Sequence, residues 1–119
     1  MCNFVGEMEN GSMKGRIDEI LIREKRYRDP GFSAGELAKM LGVSGWKLSR
    51  TVRKVYGMGY AEVVHGCRIK DAMHLLRDGR YGDCSVDDIG RMVGFGNRQS
   101  FFSAFKKLVG MTPERYRKN

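Results

Sequence analysis

Residues 33–44 read SAGELAKMLGVS, and residues 85–96 read SVDDIGRMVGFG. At an offset of 52, Ser33 falls on Ser85, Glu36 on Asp88, Leu37 on Ile89, Met40 on Met92 and Gly42 on Gly94. Each string opens on a serine whose hydroxyl can take an orphan amide at a helix start. Three residues later comes an acidic side chain that can return the bond, so each string predicts a capped helix. Each helix then stops at a glycine, which reaches the φ > 0 conformation that closes a helix. The likeness continues past the turn. With one extra residue in the second copy, LSRTVRKVYGM (48–58) lies over FFSAFKKLVGM (101–111), so Val52 meets Phe105, Lys54 meets Lys107 and Gly57-Met58 meets Gly110-Met111. A helical-hairpin repeat would also give such a period, but two copies are too few for a solenoid.

The spacing inside each copy is that of a helix-turn-helix. Such a unit needs a small residue where the helices cross, a glycine four residues on at the turn, and an apolar residue about six further to anchor the second helix. Ala38, Gly42 and Leu48 meet this in the first copy; Gly90, Gly94 and Phe101 meet it in the second.

Outward from these copies, the apolar positions Ile17, Ile20 and Leu21, with Tyr27 further on, predict an amphipathic helix from Arg16 that stops before Asp29-Pro30-Gly31. Residues 1–15 are rich in glycine and polar residues and lack periodicity, so they are expected to be a disordered segment or a cloning remnant. A first subdomain is expected over 16–58 and a second over 80–119. Between them, residues 59–79 predict a linking helix with Val63, Val64, Ile69, Ala72, Met73, Leu75 and Leu76 on its apolar stripe. About 20 helical residues make a strut of roughly 30 Å. The fold expected is all-α, with about seven helices.

The charge is unevenly placed. Residues 1–32 carry six basic and six acidic side chains, so the whole net charge of +8 lies in residues 33–119. A pI near 9.7 points to a polyanionic partner, although a merely solvated basic surface would give the same number. Cys2, Cys67 and Cys84 are odd in number and scattered, without a CxxC pair, so neither disulfides nor zinc are indicated, and the usage suits a reducing cytoplasm. No apolar run approaches the ~20 residues that span a bilayer. His65 and His74 are far apart, and no carboxylate pair, nucleophile grouping or phosphate-binding loop occurs, which argues against an enzyme and against a cofactor.

The residues LAKMLGVSGWKLSR (37–50), Arg68-Ile69 with Ala72 and Leu75-Leu76, and IGRMVGFGNRQSFFSAFKKLVGMTPERYR (89–117) resemble the DNA-binding domain of the AraC/XylS transcription regulators. The glycine-phenylalanine turn, Phe105-Lys106 and the closing G-x-T-P-x-x-Y-R carry most of that resemblance. It implies two recognition helices in the major groove of double-stranded DNA, an activating role and a contact with RNA polymerase. It places Trp46, Ser49 and Arg50 of the first unit at base edges. The chemistry agrees, since arginine bonds guanine bidentately and a tryptophan edge packs on thymine methyls. Read instead as core, Trp46 would be redundant beside Leu48 and Val52.

The equivalent positions of the second unit are Arg98, Gln99 and Ser103. The sequence departs from the family at Ser103, where an arginine is usual, and at Val52 and Val63, where aromatic residues are frequent. Lys47, Arg53, Lys54, Lys106 and Lys107 lack acidic neighbours within their segments and are read as phosphate contacts. Asp87 and Asp88 are read as structural, in the first turn of a helix where the macrodipole favours anions. Phe95, Phe102, Phe105, Leu108 and Tyr116 are expected in the core. The expectation is a cytoplasmic, nucleoid-associated regulator that binds DNA as a monomer unless a sensory domain dimerises it. A nonspecific architectural protein is the alternative.

Overall fold

The computed structural model describes residues 13–119, so most of the expected 1–15 segment lies outside the described residues. Residues 13–15 do not follow that expectation. They are already helical, in a first helix (α1) that runs through residues 13–17 and widens into a π-helical stretch, Asp18–Arg23. Six further helices follow: α2 (Ala34–Leu41), α3 (Gly45–Tyr56), α4 (Tyr60–Arg77), α5 (Val86–Met92), α6 (Arg98–Val109) and α7 (Pro113–Lys118). No strand occurs among the described residues.

The chain forms two compact units. The first holds residues 13–26 and Gly31–Tyr60 and contains α1, α2 and α3. Its buried apolar side chains include Ile17, Leu21, Leu37, Ala38, Leu41, Leu48 and Val52. Serine hydroxyls start both later helices: Ser33 Oγ accepts the Glu36 amide at 3.2 Å and Ser44 Oγ the Lys47 amide at 3.1 Å. Gly42 and Gly57 end them with φ of 70° and 74°. On α1, Asp18 accepts the Tyr56 hydroxyl and pairs with Lys14 at 2.9 Å.

The second unit consists of Tyr27–Pro30 and Ala61–Asn119. The expected linking helix is therefore not a separate element. From Ala61 on, α4 belongs to this unit, and Ile69, Ala72, Leu75 and Leu76 share one core with Ile89, Val93, Phe95, Phe101 and Phe105. Tyr27 does not continue α1 either. The chain turns at Lys25 (φ 55°) and enters a short 3-10 segment, Arg26–Arg28.

Asp71 on α4 draws Tyr27 and Arg28 into the second unit. Its carboxylate is 9% exposed and accepts the Tyr27 hydroxyl at 2.9 Å and the Arg28 guanidinium at 2.7 and 2.9 Å. A buried carboxylate needs such a bidentate partner to offset its desolvation. Burial, with Asp71 alongside, pushes the Tyr27 phenol well above its ordinary range. Arg68 adds a bond to the Tyr27 carbonyl at 2.7 Å.

The closing G-x-T-P-x-x-Y-R has a structural meaning residue by residue. Gly110 closes α6 at φ 90°, Thr112 Oγ1 caps α7 through the Arg115 amide, and Pro113 occupies the first turn of α7. Tyr116 packs on Phe105 at 5.5 Å between centroids, and Arg117 donates to the carbonyls of Cys84 and Tyr81. One core expectation fails: Leu108 is 55% exposed, near the end of α6 where Val109 and Tyr116 already cover the cluster. Phe102 and Tyr116 are only partly buried.

Candidate nucleic-acid interface

Helix α3 buries Leu48 and Val52 and turns its other side to solvent. Trp46 is 70% exposed, which excludes its reading as core. The Arg50 guanidinium, one turn on, lies 4.7 Å from the centre of the indole, so each side chain orders the other at the surface. Ser49 is exposed between them, and Lys47, Arg53 and Lys54 are exposed along the same helix. Helix α3 contains no acidic residue, and none of Lys47, Arg50, Arg53 and Lys54 has an ion-pair partner among the described residues. The helix thus presents four uncompensated cations and one aromatic face.

Helix α6 is built on the same plan but is furnished differently. Asn97 Oδ1 caps it through the Ser100 amide at 2.8 Å, and Phe101 and Phe105 are its buried anchors. The glycine at the crossing is required here. A Cβ on Gly90 would lie 2.5 Å from the Phe101 ring, whereas the corresponding Ala38 is buried without difficulty. Gly94, at φ 114°, is pressed against the Tyr27 carbonyl, which a Cβ would meet at 2.1 Å. Gly42, its counterpart, has open space around it.

Of the residues expected at bases in this unit, Gln99 and Ser103 are exposed, as are Lys106 and Lys107. Arg98 is not held as a free reader of bases. Its guanidinium bonds Asp87, stands 3.6 Å from Glu114 and covers the Phe102 ring at 4.0 Å. Asp87 therefore does more than favour the helix dipole. Asp88 keeps the expected role, completing a capping box with Ser85 through bonds of 3.0 Å in both directions. Those bonds, with Arg91 beside it, hold its carboxyl below the usual range.

Sequence reasoning missed Asp71 and Arg28, and it gave Arg117 only as the end of the closing motif, without its partners. The partners of Arg28 and Arg117 stand 43 and 33 residues away. Among the described residues no cluster of His, Cys, Asp and Glu could hold a metal, and no helix is long and apolar enough to cross a membrane.

Comparison with known proteins agrees with this geometry. A family described as a helix-turn-helix domain matches residues 37–119. The HTH-type transcriptional activator AarP of Providencia stuartii is 32% identical over 85% of this chain and 73% of its own length. A putative AraC-like transcription regulator of Streptomyces lividans is also 32% identical, over 92% of this chain; the chain spans only 36% of that relative. Among solved structures, the C-terminal domain of the response regulator yesN from Fusobacterium nucleatum matches with a TM-score of 0.80 and 28% identity, over 89% of this chain and 98% of that one. These relatives are regulators of transcription, not enzymes. The chain belongs to the AraC/XylS-type helix-turn-helix family of DNA-binding transcription regulators.

Proposed function

We propose that this chain is a sequence-specific regulator whose helices α3 and α6 enter successive major-groove segments of an asymmetric duplex site, with α3 making most of the base contacts. The observation that carries the reading is the exposed Trp46–Arg50 pair on a helix with no carboxylate. A nonspecific binder has no use for a 70% exposed indole at the start of its recognition helix. Trp46, Ser49 and Arg50 meet bases in the first half-site, and Gln99 and Ser103, with Arg98 if it leaves its carboxylates, meet the second. Lys47, Arg53, Lys54, Lys106 and Lys107 take phosphates.

The sign of regulation we propose is activation, as the name of AarP states for that protein, through contact with RNA polymerase. On DNA the chain acts as a monomer, in the cytoplasm and on the nucleoid. Selection of bound duplexes from a random pool tests the reading. A defined consensus spanning about two turns, bound at least ~10³-fold more tightly than random duplex at equal salt, supports it. A pool that remains random after selection overturns it in favour of a nonspecific architectural protein.

A further inference from the structure

Gln99, Ser103 and Lys107 follow one another at single-turn intervals along α6. Together with Asn97 and Ser100 they line a shallow depression whose other wall is His65 of α4. His65 comes from neither member of the α5–α6 pair. Its ring is tilted on the buried Phe95 at 5.8 Å between centroids, so a core residue fixes where the imidazole stands. Its ring nitrogens make no hydrogen bond among the described residues.

The charged groups that act on it are Arg68 on its own helix and Lys107 on α6, both cations. Arg68 is itself held by the carbonyls of Tyr27 and Asp29. Partial burial, then these two charges, keep the imidazole below its ordinary range, so it is neutral at physiological pH. An anion entering the depression reverses that balance. The same depression contains Ser103, a neutral side chain.

We propose that His65 is a DNA-backbone contact of the second unit, taking a phosphate oxygen together with Lys107 at the edge of the depression that Gln99 and Ser103 floor. This rests on the reading of α6 as a DNA-facing helix. A phosphate between His65 and Lys107 favours the imidazolium, so binding takes up a proton and strengthens as the pH falls. The second unit thereby gains from α4 a cation beside the neutral Gln99 and Ser103.

The test is duplex affinity at constant salt, measured at about pH 5.5 and about pH 8, for the unsubstituted chain, His65→Ala, His65→Arg and His74→Ala. The expected result is an increase of about fivefold on acidification for the unsubstituted chain and for His74→Ala, and its loss in His65→Ala. His65→Arg should bind tightly at both pH values, with a salt slope larger by about one contact at the higher pH. Strong duplex binding with parallel pH profiles in the unsubstituted chain and His65→Ala overturns the inference alone. A chain that binds no duplex at either pH overturns the DNA-binding reading as well.

Discussion

The two helix-turn-helix units share a plan and differ in how far their working residues are committed to internal partners. In the first unit, Gly42 has open space around it, the crossing position tolerates the methyl of Ala38, and α3, which has no acidic residue of its own, turns Trp46 and Arg50 to solvent. In the second, Gly90 and Gly94 are fixed by contact with Phe101 and Tyr27, and Arg98 is held by Asp87, Glu114 and Phe102. A repeated motif can thus keep its backbone while one copy leaves its exposed helix face without ion pairs and the other ties an arginine of that face to neighbouring carboxylates.

The largest effect expected from this difference is at the two turn glycines. Gly94→Ala should destabilise the second unit by about 4 kcal/mol or more, because a Cβ 2.1 Å from the Tyr27 carbonyl adds a clash to the unfavourable φ. Gly42→Ala meets nothing and should cost only the left-handed conformation, about 1–2 kcal/mol. Urea unfolding of both variants measures this, and equal losses would erase the structural half of the comparison. Asp71→Ala comes next. Removing the carboxylate strands the Tyr27 hydroxyl and leaves Arg28 half-enclosed, which should cost about 2–4 kcal/mol, less than a fully buried pair since a third of the arginine side chain is exposed.

Effects on DNA should be smaller, and the larger of them should fall on the first unit. Arg50→Ala should lower specific affinity by about 1–3 kcal/mol and relax preference at one or two base pairs, while Lys54→Ala should weaken all duplexes alike and reduce the salt slope by about one. A binding titration across operator variants separates the two patterns. The smallest effect is expected from Asp87→Asn. Releasing Arg98 from an exposed ion pair and removing a charge that repels phosphate should raise affinity for any duplex about two- to threefold. An unchanged or lower affinity would mean that Arg98 works from where Asp87 holds it.

Much of this was readable from the residues. The limits of α2 follow from Ser33 and Gly42, and the end of α3 from Gly57, because caps and left-handed glycines act within a few residues of the ends they set. The exposure of Trp46 followed from the presence of Leu48 and Val52 as sufficient anchors. What escaped depends on distance along the chain. The assignment of Tyr27–Pro30 to the second unit rests on Asp71, and nothing within α1 announces it. The bracing of Arg98 is hidden for the same reason: Asp87 lies eleven residues upstream, and Glu114 belongs to another helix. Local patterns located α3 and α6, whereas long-range ion pairs decide which of their side chains are held by internal partners.

On the proposed function, base readout is concentrated in the first unit. Affinity measured on a selected site substituted one base pair at a time, with the footprint used to assign each position to α3 or α6, tests it most directly. Losses of about 1–3 kcal/mol are expected at positions under Trp46 and Arg50, with markedly shallower losses under α6. Equal losses in both halves, or a palindromic footprint with two chains per site, would contradict it.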